Sequence, residues 1–470
     1  MIPMKRRNSA ATLIVCLALF AFFFVFEINL SSIFRLIATR STGIQESERL
    51  ELKPMRTQEP LIKAIGKEAR PLQQSPPQRQ IISCDRSHRE YDLCSINGPT
   101  VVDPNTSTFF LMDPTTSSPQ STVEKIKPYP RKWENFPMAR IKELTITSSP
   151  SGPRCKVRHK APAIVFSAGG YTGNVFHDFN DGFIPLFITV DSIYQNQDVI
   201  LVISEARDWW VSKYRNLLDV FSTHKIVSLD NDTSTHCFPS ATLGLISYGF
   251  MALMPNSSQT LLHFRALLDQ AFGHGKNNPY SISNEFLKFS RKPRLVFINR
   301  LRGQGREILN KDEAKRVAEE IGFDVISFEP TDRTSLDQVY ALLNSSHAMV
   351  GMHGAALTHL LFLRPGSVLV QVMPLGTNWA GKMCHGEPAR AMGIEYMEYK
   401  IDVKESSLVE KYDKDDMVIK DPAGLQGKKW SLDVMKIYLK EQNVKLDLVR
   451  FRECLKEAYR KAKVFMEKEE

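Results

Sequence analysis

The sequence lacks several features that would assign it to a common class of protein. It has no Cys-x-x-Cys pair and no cluster of Cys and His at zinc-finger spacing, which excludes the usual structural zinc sites. No Gly-Lys-Ser/Thr follows a glycine-rich turn, so no Walker loop is present, and no internal repeat is visible. Only 24 Gly and 26 Pro occur among 470 residues, which excludes a collagen-like or low-complexity chain.

The composition is that of a globular protein. A hydrophobic fraction of 43% excludes a mostly disordered chain, and the length allows roughly two or three domains. The net charge of +9 would normally suggest nucleic acid or an anionic membrane as a partner. However, the first 80 residues hold 12 of the 61 Lys and Arg and 6 of the 52 Asp and Glu, which leaves only +3 for the rest. The main body is close to neutral, and we expect no nucleic-acid partner.

The amino terminus has the pattern of a membrane anchor. Residues 10–26 contain one polar side chain, Thr12, and follow the basic residues Lys5–Arg7. At roughly 1.5 Å per residue this run spans about 26 Å, enough for a thin bilayer of the secretory pathway. A cleaved signal peptide is the alternative, but the run ends in Phe22–Phe26 and lacks a small-x-small cleavage site. We expect an uncleaved signal anchor at residues 10–28, with the body in the lumen.

The segment after the anchor reads as a tether. Residues 29–80 have no sustained apolar period and include the Gln- and Pro-rich run Pro71–Gln80. A cytosolic tail at residues 1–9, one anchor, a stem and a large body form the layout of a single-pass type II enzyme of the Golgi membrane. A cell-surface binding protein could share this layout.

Cysteine and glycosylation patterns also favour the lumen. Outside the anchor the chain has six cysteines, of which Cys84 and Cys94 are best placed to pair. Asn105, Asn231 and Asn256 begin Asn-x-Ser/Thr triplets, which predict glycosylation sites.

Two α/β halves are predicted after an irregular lead-in that runs from Ile81 to about Pro150. Strand–helix–strand alternation predicts a parallel sheet in each half. The predicted strands are Ala163–Ser167, Asp198–Ser204, Lys225–Leu229, Arg294–Asn299, Asp324–Phe328, Ala348–Gly351 and Ser367–Met373. They are apolar on both faces, so we expect helices on both sides of each sheet. The predicted fold class is α/β, with two doubly wound domains, residues 81–285 and 286–470, that face a cleft. A long amphipathic helix from Leu446 closes the chain.

Two turns of the second half are candidates for binding a diphosphate, because ligands of open α/β sheets bind beyond the carboxyl ends of the strands. The first turn offers forked donors that suit phosphate: Arg300, Arg302 and Arg306. The second turn contains His353 and Gly354, and the helix after it would point free N–H groups at an anion. A basic surface loop and a structurally satisfied histidine are the respective alternatives.

The first half contains a candidate general base. His177, Asp178 and Asp181 follow the glycine-rich turn Gly169–Gly173, and His177 and Asp181 share a helix face. A His–carboxylate pair in a cleft can deprotonate a hydroxyl. We select His177 and Asp178 as the catalytic candidates. The alternative is a helix cap with carboxylates in its first turn.

Four segments together resemble the signature of glycosyltransferase family 61. They are Gly169–Pro185, Gly351–Gln371, Gly386–Arg390 and Gly393–Lys400. The similarity runs from about Cys84 to the end of the chain and looks closest to the plant branch of xylan xylosyl- and arabinosyltransferases. One segment departs from the pattern: Met383-Cys-His385 stands where an aromatic-rich stretch is expected.

The resemblance implies a GT-B architecture, an inverting mechanism and transfer of a pentose, xylose or arabinofuranose, from a UDP-sugar to a xylan backbone in the Golgi. It implies that Arg300, Arg306, His353 and Gly354 hold the donor diphosphate, with Glu387 near the donor sugar or ribose. The acceptor hydroxyl would lie near His177 and Asp178. A Golgi synthase complex would be a further partner.

Other functions remain as alternatives at this stage. One is β-1,2-xylosylation of protein N-glycans or another sugar transfer within the family. Another is a metal-dependent transferase, because Asp230-Asn-Asp232 follows a predicted strand and its oxygens would suit Mn²⁺ or Mg²⁺. That motif is short and overlaps the triplet at Asn231, so we expect no metal ligand and no cofactor. The non-enzyme alternative is a luminal carbohydrate-binding subunit of an assembly.

Overall fold

A computed structural model describes residues 81–112, 123–149, 152–195, 197–254, 258–273, 292–300, 303–331, 333–426 and 431–469. All of them belong to one compact unit that extends from Ser75 to Glu470. The predicted tail, anchor and stem lie outside the described residues, as do Asn256 and Arg302. Within the described ranges, no helix combines the length and the apolar character needed to cross a membrane.

Two six-stranded sheets and one five-stranded sheet form the framework of the described chain. The first sheet contains, in spatial order, β1 (Ile81–Asp85), β2 (Leu93–Asn97), β12 (Ala241–Leu243), β8 (Ala163–Ser167), β9 (Ile200–Ser204) and β10 (Val227–Ser228). The second contains β5 (Val123–Ile126), β6 (Leu144–Ser148), β4 (Thr108–Leu111), β3 (Thr100–Asp103), β11 (His236–Phe238) and β7 (Val157–Arg158). The third contains β14 (Asp324–Phe328), β13 (Arg294–Ile298), β15 (Ala348–Met352), β16 (Val368–Met373) and β17 (Glu395–Lys400).

Among the described residues, helices pack on one face of the first sheet and the second sheet packs on the other, so the prediction of helices on both sides was wrong for this half. Alternate residues of β8 face opposite ways: Ile164 and Phe166 pack with the helices, whereas Ala163 and Val165 pack against the second sheet. The lead-in is therefore not irregular. It supplies β3–β6, which cover the first sheet because their apolar side chains, such as Phe109 and Ile146, are fully buried there.

The third sheet is parallel throughout and has helices on both faces, as predicted. One face of β13 packs against the helices Lys311–Ile321 and Leu448–Glu469 through Leu295 and Phe297. The opposite face belongs to a core that also contains residues of the first half. The long closing helix is thus confirmed, and it lies on the side of the sheet away from the first half.

Helices connect most of the strands. The α-helices are Asn135–Met138, Val175–His177, Ile184–Tyr194, Asp208–Lys213, Arg215–Phe221, Leu261–Phe272, Lys311–Ile321, Leu336–Asn344, Asn378–Gly381, Glu387–Ala391, Met417–Lys420, Pro422–Gln426, Leu432–Lys436 and Leu448–Glu469. The π-helical segments are Asp178–Phe183, Lys382–Gly386 and Ile437–Glu441, and the 3₁₀ segments are Ala355–Phe362, Val403–Glu405 and Ser407–Glu410.

Two disulfide bonds fix the first half. The predicted pair Cys84–Cys94 is confirmed, and it joins β1 to the adjacent β2. Sequence analysis left the second pair open; it is Cys155–Cys237, which closes a loop of 82 residues at the edge of the second sheet. Cys384 and Cys454 are free thiols.

Candidate active site

The candidate base lies on a helix that begins just beyond β8 and its glycine-rich turn. The Asn174 side chain accepts a hydrogen bond from Phe176 N and caps the helix. The helix widens into a π segment from Asp178 to Phe183 before it continues as an α-helix. π segments of this kind interrupt helices frequently at functional sites.

A buried carboxylate orients the His177 ring. His177 Nδ1 lies 2.8 Å from Asp181 Oδ2. Asp181 also accepts from Tyr129 Oη at 2.8 Å and from Arg131 Nε at 2.9 Å. Burial alone would raise the pKa of Asp181, but Arg131 and His177 hold that pKa below its ordinary value, so the carboxylate is ionised. An ionised carboxylate can only accept, so His177 Nδ1 donates to Asp181, and Arg131 Nη2 lies 3.5 Å from the same ring nitrogen. His177 Nε2 has no hydrogen bond to any described residue.

The structure places Asp178 away from His177. Its side chain is 4% exposed and accepts hydrogen bonds from Trp210 Nε1 at 3.2 Å and Tyr214 Oη at 2.8 Å. Burial raises the pKa of Asp178, although these donors oppose the effect. Successive residues of a helix point in directions about 100° apart. Asp178, directly after His177, therefore faces the core, whereas Asp181, four residues after His177, faces the histidine. The geometry pairs His177 with Asp181, not with Asp178.

Arg300 and Arg306 lie together at the carboxyl end of β13. Arg300 Nε donates to Gly305 O at 3.0 Å, and Arg306 donates to Leu439 O at 3.0 Å and to His353 O at 2.9 Å. They line a small pocket with residues that include Asn299 and Lys311. The two predicted phosphate turns are therefore adjacent, and Arg306 joins them.

This arginine pair has no carboxylate partner among the described residues, although Glu307 lines the same pocket. Arg306 is 8% exposed, and neither guanidinium forms an ion pair with a carboxylate of the described chain. Burial lowers the pKa of Arg300, and burial together with the charge of Arg300 lowers the pKa of Arg306 to about 9. Buried charge is costly unless it is paired, so this pair favours the entry of an anion.

Gly354 permits the close approach of both arginines to the turn after β15. A Cβ at this position would lie 2.6 Å from Arg300 Nη1 and 3.1 Å from Arg306 Nη1. Its φ of 155° also disfavours other residues. His353 is buried beside it, with Nδ1 2.8 Å from the amide nitrogen of Gln371.

Two neutral histidines line the same region. Burial, then His385 and the two arginines, holds the pKa of His353 well below its ordinary range. Burial and Arg306 lower the pKa of His385 to about 3. The rings of these histidines lie 5.3 Å apart, and His385 Nε2 is buried without a hydrogen-bond partner in the described chain. His385 belongs to the segment that departs from the family pattern.

The Phe176 ring joins the two sides of the site. The Phe176 ring lies 5.9 Å from the ring of His385 and 5.2 Å from the ring of His177. The candidate base of the first half and the anion-binding turns of the second half therefore meet around Phe176. This arrangement can hold an anionic leaving group on one side and activate a hydroxyl on the other.

The remaining predicted site residues that the structure describes are on the surface. Glu387 is exposed and pairs with Arg390 at 3.2 Å, and within the described chain no hydrogen bond or ion pair links it to Arg300 or Arg306. Asn105 and Asn231 are exposed, which is compatible with glycosylation.

The carboxylates of the rival metal motif have other partners. Asp232 Oδ2 contacts His236 Nε2 at 2.9 Å, and Asp230 accepts a hydrogen bond from Glu205 N. Throughout the described ranges, no group of three or more His, Cys, Asp or Glu side chains is arranged to hold a metal ion.

Sequence reasoning missed several residues that complete the site. Arg131 and Tyr129 belong to the lead-in, and they reach Asp181 across 50 and 52 residues of chain. Only tertiary packing reveals such contacts. Tyr171, whose ring stacks on His177 with centroids 4.2 Å apart, was within reach of prediction because it lies in the glycine-rich turn.

Comparison with known proteins identifies relatives of this chain. The family model "Glycosyltransferase 61" matches residues 175–370. Xylan glycosyltransferase MUCI21 of Arabidopsis thaliana is 40% identical over 398 residues, which cover 81% of this chain and 80% of that protein. Alpha-1,3-arabinosyltransferase XAT3 of Oryza sativa subsp. japonica is 35% identical over 379 residues, 80% of this chain and 64% of that protein.

Beta-1,2-xylosyltransferase XYXT1 of Oryza sativa subsp. japonica is 34% identical over 397 residues, covering 80% of this chain and 83% of that protein. A solved structure of E. coli heptosyltransferase WaaC with ADP is 11% identical, covers 51% of this chain and 91% of its own, and has a TM-score of 0.22. That score is too low to support an argument about the fold.

The similarity to the sequence relatives spans both sides of the site, and the protein is a glycosyltransferase. It belongs to glycosyltransferase family 61, in the plant branch that contains the xylosyl- and arabinosyltransferases named above. The family prediction made from the four sequence segments is confirmed.

Proposed function

We propose that the protein transfers a pentose, xylose or arabinofuranose, from a UDP-sugar to a xylan backbone with inversion at the anomeric carbon. The named relatives are a xylan glycosyltransferase, an arabinosyltransferase and a xylosyltransferase, which supports both the acceptor and the pentose. The observation that carries the proposal is the arginine pair, Arg300 and Arg306, beside the His353–Gly354 turn.

The donor diphosphate would lie between the two turns of the second half. Arg306 would neutralise charge that develops on the departing UDP, and Arg300 lies close enough to share the same phosphate oxygens. His353 is neutral and can donate through Nε2, because its Nδ1 accepts from the Gln371 amide. These groups are held by backbone carbonyls and buried side chains, so they require little rearrangement during reaction.

The acceptor hydroxyl would lie near His177. Its oxygen forms the new bond to the anomeric carbon while the bond from that carbon to the UDP oxygen breaks, and UDP leaves with the bonding electron pair. The hydroxyl proton passes to His177 Nε2, and Asp181 stabilises the imidazolium that results. A single displacement of this kind inverts the anomeric centre. In this assignment the carboxylate that assists the base is Asp181, whereas the sequence had suggested Asp178.

The finer architecture and the location of the protein belong to the same proposal. A two-domain GT-B arrangement is supported by the parallel third sheet and by the parallel strands β12, β8, β9 and β10 of the first sheet. The sequence pattern of residues 10–28 supports a type II anchor in the Golgi membrane, and the two disulfide bonds are suited to its lumen. A Golgi synthase complex remains a proposed partner.

We propose that catalysis needs no metal ion. Arg300 and Arg306 supply positive charge where a bound cation would otherwise act on the diphosphate. The proposal predicts full activity in EDTA. A strict requirement for added Mn²⁺ would contradict it, and loss of that activity in Asp232→Asn would then identify the rival motif.

The test of the proposed function is a donor and acceptor screen with the purified full chain. UDP-xylose, UDP-arabinofuranose and UDP-GlcNAc are each offered with xylo-oligosaccharides and with protein N-glycans. The expected product is a pentosylated xylo-oligosaccharide whose anomeric configuration, determined by NMR, is opposite to that of the donor. Transfer only to N-glycans, or a product that retains the donor configuration, would refute the proposal.

A further inference from the structure

A row of four aromatic rings and one guanidinium crosses the candidate active site, and its two ends face solvent. In order it consists of Phe136, Tyr171, Arg131, Phe250 and Trp379, which we call the aromatic stripe. Adjacent members are 5.9 Å apart for the first three contacts and 5.4 Å apart for the last. Phe136 is 49% exposed and Trp379 is 51% exposed, whereas Arg131 in the middle is buried. The stripe is thus open at both ends and recessed at its centre.

We propose that the aromatic stripe is the acceptor-binding surface, on which successive sugar rings of a xylan chain stack on both sides of the reacting residue. This inference rests on the proposed function. A pyranose ring presents C–H groups on its faces and hydroxyls around its rim, so it fits a flat aromatic ring bordered by polar groups.

The polar borders of the stripe match this occupant. Tyr171 Oη donates to Glu134 at 2.8 Å, which holds the tyrosine ring in place. The charge of Arg131 at the centre is matched by Asp181 and Glu134, with which it forms ion pairs. These two carboxylates leave the centre without excess positive charge, which suits a neutral polysaccharide better than nucleic acid or an acidic peptide.

The position of the stripe relative to the candidate base supports the same occupant. Tyr171 stacks on His177 at 4.2 Å, so a sugar seated over the centre would bring a hydroxyl beside the base. Phe250 and Trp379 continue the stripe from the first half onto the short helix Asn378–Gly381 of the second. A chain along the stripe would therefore pass between the base and the donor turns.

The exposed ends distinguish this role from a purely structural one. Rings that only stabilise the core would be fully buried, but about half of the surface of Phe136 and of Trp379 is open to solvent. Exposed aromatic surface next to a reacting centre is typical of a ligand-binding surface. Since only the ends are exposed, they should contact sugar residues on either side of the one that reacts.

The test measures acceptor affinity in variants of the two terminal rings. Phe136→Ala and Trp379→Ala are prepared in the full chain, with Trp379→Phe as the variant that keeps a ring. The matched control is Trp133→Ala: Trp133 is 47% exposed and lies against Arg89, as Phe136 lies against Arg140, but its indole donates to Glu90 and its ring contacts no described member of the stripe. Binding of xylobiose, of a long xylo-oligosaccharide and of UDP is measured by calorimetry, and the KM for each acceptor is measured with the preferred donor.

Each alanine variant should raise the Kd and the KM of the long xylo-oligosaccharide by roughly three- to tenfold, the effect of one lost ring contact. Trp379→Phe should recover most of the affinity. The Kd of UDP and the binding of xylobiose should be unchanged, and Trp133→Ala should behave as the unmodified protein.

The outcomes separate the stripe from the proposed function. If the protein transfers to xylo-oligosaccharides and both terminal alanine variants keep the original KM, the stripe assignment is wrong and the proposed function stands. If it binds long xylo-oligosaccharides through these rings without transferring to them, the stripe stands and the proposed function is wrong. If the protein neither binds nor modifies long xylo-oligosaccharides, the proposed function and the stripe assignment are both wrong. The exposed rings would then bind another partner, such as a protein.

Discussion

Asp181 Oδ2 lies 2.8 Å from His177 Nδ1, whereas the neighbouring Asp178 contacts Trp210 and Tyr214 in the core. Two carboxylates three positions apart in the sequence thus have separate environments. Both are nearly fully buried, and so they form a matched pair for mutagenesis.

Asp181→Asn should lower kcat by roughly a hundredfold or more, because the His177 ring loses the carboxylate that orients it and stabilises its charged form. UDP affinity should be unchanged. Asp178→Asn should lower thermal stability with little effect on kcat per folded molecule. A larger loss of kcat in Asp178→Asn than in Asp181→Asn would reverse the assignment.

Removing Arg306 tests the donor site. Arg306→Ala should weaken UDP binding by roughly ten- to a hundredfold, the value of a charge-assisted hydrogen bond, as measured by calorimetry. Arg265 is the control, because it is also 8% exposed but is paired with Asp269 at 2.6 Å. Arg265→Ala should destabilise the fold and leave the UDP affinity of the folded protein unchanged. Equal UDP affinity in both variants would remove Arg306 from the site.

Gly354 offers a second test that leaves both arginines in place. Gly354→Ala should weaken UDP binding by about tenfold, because the added methyl would lie 2.6 Å from Arg300 Nη1 and displace it. Gly393→Ala is the matched control: it also has a positive φ, 69°, but a Cβ there would meet only Pro365 Cβ, at an ordinary contact distance of 3.7 Å. If the two variants lose UDP affinity to the same extent, backbone strain at the glycine, rather than the clash with Arg300, explains the loss.

The sequence predicted the parallel strands because they are continuous apolar runs; β8 and β15, for example, are buried at every position. The second sheet was missed because its strands are short and pair mainly with distant segments: β11 at residues 236–238 pairs with β3 at residues 100–103. His177 was found from local helical spacing. Arg131 was not, because its contact with Asp181 depends on how the second sheet packs against the first.

The disulfide Cys155–Cys237 should matter for stability more than its place at a sheet edge suggests. It closes a loop of 82 residues, and loss of such a crosslink costs about 4 kcal/mol in the chain-entropy model. Replacing both cysteines by serine should therefore lower the Tm markedly under non-reducing conditions. Cys454→Ser, which removes a free thiol, is the control and should have a small effect. A Tm that is insensitive to the double replacement would show that the bond is absent from the native protein.

Buried neutral histidines should make the protein sensitive to acid. Burial lowers the pKa of His359 from 6.5 to about 4 and that of His385 from 6.5 to about 3. Between these values and 6.5 the unfolded chain binds more protons than the native one, so stability should be complete above pH 6.5 and should fall as the pH drops toward 4. Each such histidine contributes up to about 1.4 kcal/mol per pH unit to this slope. Unfolding by denaturant at several pH values measures how the free energy of unfolding depends on pH. In His359→Asn the difference in bound protons between the unfolded and native protein, which sets this slope, should be smaller by about one. An unchanged slope in that variant would mean that His359 is protonated in the native protein.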